Sequence, residues 1–113
     1  MRVVKILNNN YILVEDDHGN ELIVMGRGLR FSNRVGNELN KENIQKIFAP
    51  KDKKIVRDWQ QVLEGVPEDY AEAIHSAILL ADDHMPGKLN EQIFITLFDH
   101  LFFNSTWKIY ILL

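Results

Sequence analysis

The chain has 113 residues, 46% of them hydrophobic, and a formal net charge of −3, a composition that suits one ordinary globular domain or two very small ones. Cysteine is absent, which excludes a disulfide framework, a thiolate nucleophile and cysteine-ligated zinc. No stretch has the length and apolarity of a membrane-spanning helix or the core of a signal peptide, so no membrane insertion is expected and the expected location is the cytoplasm.

In chain order, Val3-Val4-Lys5-Ile6-Leu7 reads as a first strand, and Asn8-Asn9-Asn10 breaks it because asparagine tolerates the left-handed region that tight turns use. Tyr11 to Glu15 is a second strand, Asp16-Asp17-His18-Gly19-Asn20 a turn, and Glu21 to Met25 a third strand. Connections this short allow only antiparallel pairing. Next comes Met25-Gly26-Arg27-Gly28-Leu29-Arg30-Phe31. Glycine permits close backbone approach, arginine carries a flat charged fork, and phenylalanine offers a ring on which a base can lie. Ser32 to Asn37 is polar and irregular, Glu38 to Glu42 is read as a single helical turn, and Ile44 to Phe48 as a fourth strand. A sheet this small buries little apolar surface alone, which predicts a homodimer.

Pro50-Lys51-Asp52-Lys53-Lys54 marks a boundary, and beyond it the hydrophobic period becomes helical. Ile55, Val56, Trp59, Val62 and Leu63 share one helix face, and Gly65 stops it. Pro67 opens a second helix with Tyr70, Ala71, Ile74, Ala77, Ile78 and Ala81 on its face, ending near Met85-Pro86-Gly87. Asn90 caps a third, carrying Ile93, Phe94, Leu97, Phe98 and Leu101, and from about residue 102 the chain becomes apolar, aromatic and β-prone. Charge divides at the same boundary. Up to Ile55, ten lysines and arginines face seven acidic residues; afterwards three face nine. The first half therefore tolerates a polyanion.

Each conspicuous feature has a plain reading beside a functional one. A Gly-x-Gly loop is often only a bulged turn with solvated arginines. The asparagine triplet is either a hairpin turn or a set of amides able to pair with unpaired base edges. A lone histidine such as His100 in an apolar helix is usually a satisfied core residue, yet neutral imidazole also suits reversible phosphoryl transfer. Asp99 points about 100° away from His100 around a helix, whereas Thr96 shares its side. Asp82-Asp83-His84 diverge around a helix without an i, i+4 partner, so no metal or other cofactor is expected. With no phosphate-binding glycine loop and no serine with a base, neither is enzymatic activity.

Three stretches taken together, Val4 to Asn10, Met25 to Phe31 and Ile44 to Phe48, resemble the co-antiterminator (CAT) RNA-binding domain of the BglG/SacY/LicT-type transcriptional antiterminators. Ile95-Thr96-Leu97-Phe98-Asp99-His100-Leu101 is similar to the regulatory-histidine signature of the phosphotransferase-system regulation domain (PRD) that follows it in that family. The resemblance implies an α+β protein: a small, dimeric antiparallel sheet over residues 1–55, then the N-terminal part of a truncated helical PRD over 56–113. It implies that an RNA antiterminator hairpin is held by Lys5, Asn8, Asn10, Gly26, Arg27 and Phe31, so that the overlapping terminator does not form. Arg30 is given electrostatic help only, and Asn9 is left to the turn. His100 is the implied phosphorylation site for phosphotransferase-system proteins, with control weakened by truncation. The alternative is a dimerisation or signalling module that binds no RNA.

Overall fold

A computed structural model of the chain describes residues 1–84. The chain forms two compact units, Met1–Gly65 and Val66–Leu113. The third helix expected from Asn90, the His100 signature and the stretch from residue 102 lie outside the described residues.

The first unit holds a four-stranded antiparallel sheet in the order β1 (Arg2–Ile6), β2 (Tyr11–Glu15), β3 (Glu21–Met25), β4 (Lys46–Phe48). A short helix α1 (Leu29–Ser32) follows β3, and helix α2 (Lys53–Gly65) follows β4. The meander arises from its turns. Asp16 Oδ1 accepts the His18 and Asn20 backbone N–H groups, both at 2.9 Å, while Gly19 takes φ 79°. Such a side-chain-built turn leaves only a tight antiparallel return for β3.

Because side chains alternate across a strand, the register sorts the apolar residues onto two faces. Ile12 pairs with Val24, and Val3 with Val14, placing these four on one face, where Leu29 and Leu39 close a buried core. Tyr11 pairs with Met25, and Leu13 with Ile23, which in turn pairs with Phe48. All five are buried on the other face. α2 supplies cover there: its apolar stripe buries Val56, Trp59 and Leu63, it lies against β3, and the Trp59 ring stands edge-on to Phe48 at 5.7 Å. The expectation of a sheet short of apolar cover is met within the chain by α2, so a dimer needs support other than a bare sheet face.

One local expectation is corrected. Glu38 to Glu42 holds no helical turn; Glu38 and Leu39 run along the edge of β1, and the chain turns at Glu42 and Asn43. The Val3 N–H donates to Asn37 O at 2.9 Å, Leu39 N–H to Met1 O at 2.7 Å, and Arg2 bridges Glu38. Pairing along an otherwise open strand edge outweighs a weak local helical preference. The single turn forms instead at α1 and stops at Asn33, whose Nδ2 donates back to Leu29 O at 3.0 Å.

In the second unit, α3 (Glu68–His84) starts directly after Pro67 with Glu68 and Asp69 in its first turn, where acidic residues favour the helix dipole. Ala71 and Ile74 are buried as the helical period requires, and His75 is buried with them.

Trp59→Ala should destabilise the first unit by about 3–5 kcal/mol in urea unfolding, because it removes the largest side chain α2 sets against the sheet. The Asn20 and His18 backbone donors hold the Asp16 carboxyl below the usual carboxylate range. Its contribution is therefore complete above the ordinary aspartate range and lost as pH falls through the lowered one. Protection of the Asn20 amide, taken relative to its intrinsic exchange rate, should fall across that acid window and should not change across it in Asp16→Ala.

Candidate nucleic-acid interface

The two motifs that stand apart in sequence meet as one hydrogen-bonded unit. Asn8 Oδ1 accepts the backbone N–H groups of Asn10 at 2.9 Å and Tyr11 at 3.0 Å, which folds the turn between β1 and β2. Asn9 and Asn10 then receive the glycine-arginine loop. Gly26 N–H donates to Asn10 O at 2.9 Å, Gly28 N–H to Asn10 Oδ1 at 2.8 Å, and Arg30 N–H to Asn9 O at 3.1 Å. Arg30 Nη1 also donates to Asn9 Oδ1 at 3.1 Å. Pinning at four points makes the loop a rigid platform rather than a flexible tether.

The glycines serve different ends. Gly28 sits at φ 72° as the residue before α1, a left-handed position that glycine adopts at least cost. Gly26 is buried, and a Cβ there would run into Asn43 O and stand 3.0 Å from the Asn43 carbonyl carbon. Its missing side chain thus admits the chain's own 43–44 backbone. Asn43 itself takes φ 65°, a conformation asparagine tolerates better than most residues.

Of the six residues expected to hold RNA, Asn8 and Asn10 are each 2% exposed, and Gly26 is also buried. Arg27 is exposed, and Phe31 is 79% exposed. Lys5 projects from β1 to Glu64 Oε1 at 2.8 Å, with about half its side chain in solvent. Asn8 Nδ2 reaches the same helix end, donating to Leu63 O at 3.3 Å. Arg27 lines an open hollow with Asn43, Ile44 and Gln45. Sequence reasoning passed over Asn9, Asn43 and the structural bond of Arg30. An asparagine run beside a Gly-Arg-Gly loop is the only signal for the first, and nothing local pointed to Asn43.

Residues 1–57 match the family model described as the CAT RNA binding domain. The chain is 38% identical over 103 residues to a beta-glucoside operon antiterminator of Dickeya chrysanthemi, covering 91% of this chain and 36% of that protein. It is 34% identical over 103 residues to the transcription antiterminator LicT of Bacillus subtilis, covering 91% and 37%. It thus spans little more than a third of those relatives. The crystal structure of GlcT CAT-PRDI aligns over 88% of this chain and 59% of that one, with TM-score 0.60 and 28% identity.

Asn10→Ala should leave the Gly28 N–H without its acceptor, costing about 1–3 kcal/mol. Amide exchange at Gly28 should quicken, whereas Asn10→Asp, which keeps the acceptor oxygen, should retain most of the protection.

Proposed function

The chain belongs to the CAT RNA-binding domain family, and from that premise we propose that it is a transcriptional antiterminator that holds an RNA hairpin on the asparagine-braced loop. One observation carries the reading: Phe31 stands 79% exposed in α1, between Gly28, whose N–H is held by Asn10, and Asn33, whose Nδ2 donates back to Leu29 O. Leaving such a ring in water forgoes roughly 1.5–3 kcal/mol of burial. Stacking of an unpaired base recovers it, and Arg27 close by in the loop supplies charge for the adjoining phosphate. The names of the relatives, both antiterminators, support the same reading.

The six residues divide by role in this proposal. Arg27, Lys5 and Phe31 meet the RNA. Asn8, Asn10 and Gly26 have their polar groups or their open side turned inward, and act by holding the loop in shape. Lys5 exchanges Glu64 for a phosphate at small cost, because a half-exposed ion pair contributes only about 0–1 kcal/mol. A hairpin so held is favoured over an overlapping terminator, and transcription continues. The protein works in the cytoplasm as a homodimer and catalyses nothing. Residues 1–55 form the RNA-binding part and 56–113 the N-terminal part of a PRD. His100, outside the described residues, accepts the phosphoryl group from phosphotransferase-system proteins, as its sequence signature suggests.

Two substitutions on the loop test the reading with a short imperfect RNA hairpin in a gel shift. Arg27→Ala should weaken binding and lower the slope of log K against log salt by about one. Phe31→Ala should cost about 1–3 kcal/mol of affinity with little change in that slope. Because both side chains are exposed, thermal unfolding should stay close to that of the unaltered chain. Wild-type affinity in both variants would overturn the proposed contact.

A further inference from the structure

A second basic hollow opens beside Phe31, separate from Arg27's own hollow, and includes Arg34, which the loop contact leaves unused. Arg30, Phe31, Arg34, Asn37 and Glu38 are among its lining, and it encloses about 440 Å³. Its frame is held from within. Asn33 is 7% exposed, its Nδ2 donates to Leu29 O at 3.0 Å, and its Oδ1 accepts the Asn40 N–H at 2.9 Å. The turn carrying Arg34 is tied down as well: Asn37 N–H donates to Arg34 O at 3.1 Å, and Gly36 N–H to Val3 O at 2.8 Å.

The charges in this hollow are unequally matched. Glu38, the carboxylate among its lining residues, is engaged by the N-terminal ammonium at 2.8 Å, and that bond holds its carboxyl below the usual range. Arg34 is exposed, and among the described residues no carboxylate pairs with its guanidinium. Arg30 lies beside it, steadied by Asn9. A planar guanidinium on an anchored turn suits a phosphate, which it meets with two parallel N–H donors. A nucleotide stacked on Phe31 carries a phosphate on each side of its sugar. Since Phe31 also lines this hollow, a strand lying on that ring brings one of those phosphates towards Arg34.

We propose that Arg34, with Arg30 beside it, forms a second phosphate subsite for the RNA backbone, separate from the hollow lined by Arg27. The subsite rests on the RNA-binding reading and lengthens the contacted strand by at least one phosphate. It contributes grip and register, not base identity.

The test uses the full chain and RNA hairpins that it enriches from a pool with randomised internal loops. Arg34→Ala should weaken Kd about tenfold, the scale of one charge-assisted hydrogen-bond contact, and lower the salt slope by about one. Arg34→Lys should restore the slope and only part of the affinity. Phosphates of one hairpin are then replaced singly by neutral methylphosphonates. One linkage should cost the wild type about tenfold and cost Arg34→Ala nothing, marking the phosphate that Arg34 meets. Unchanged affinity and slope in Arg34→Ala, or the same costly linkages in both proteins, would overturn the subsite. Weaker binding by Arg27→Ala alongside an unaffected Arg34→Ala removes the subsite and leaves the main reading standing. Failure of the wild type to enrich any hairpin removes both.

Discussion

The hydrogen bond from the Gly28 N–H to Asn10 Oδ1 fixes the loop on which the proposed function depends. A Gly-Arg-Gly sequence by itself has much backbone freedom to lose on binding, and that loss opposes affinity. Here the ordering is done during folding, by backbone and side-chain acceptors in Asn9 and Asn10. Asn8 underlies both, because its own side chain shapes the turn that presents them. The triplet is therefore best understood as three different devices: Asn8 shapes, Asn10 braces, and Asn9 steadies an arginine.

The same turn is joined to the far end of α2. Asn8 Nδ2 meets the Leu63 carbonyl, one of the last four in the helix and so without an intrahelical donor. Lys5 meets Glu64 beside it. Neither bond is strong, since a neutral hydrogen bond contributes about 0.5–1.5 kcal/mol and a solvent-accessible ion pair less. Their importance is positional. The apolar stripe of α2 anchors the helix on the sheet through Trp59 and Phe48, and these polar contacts then set where its end lies relative to the asparagine turn.

Much of the sheet was legible because it follows local rules. β2 and β3 fall where alternation and turn chemistry place them, Tyr11–Glu15 and Glu21–Met25, and Pro67 heads α3 as a helix-starting proline should. What stayed hidden was set by tertiary contact. Glu38 has nothing in its neighbours to mark it as an edge partner of Arg2, and its extended form comes from β1 lying alongside. Gly26 was readable as a place of close approach, but its neighbour, the Asn43 carbonyl, lies 17 positions away with an irregular segment between. Asn8 and Asn10 show the deeper ambiguity. An amide that can pair with a base can equally pair with the backbone, and sequence does not reveal which way it turns.

A net charge of −3 also acquires a clearer meaning once the positions of the charges are known. An acidic chain gains no general attraction for a polyanion, so affinity has to come from a few cations held at particular places. Arg27, Arg30 and Arg34 lie within eight residues, on a segment held by Asn10, Asn9 and the tie between Gly36 and Val3. The carboxylate that shares the hollow of Arg30 and Arg34, Glu38, is occupied by the N-terminus. Local order thus does what bulk charge does in strongly basic proteins. On the proposed reading it also confers something bulk charge does not, because only an RNA that can set its phosphates against those few arginines gains from them.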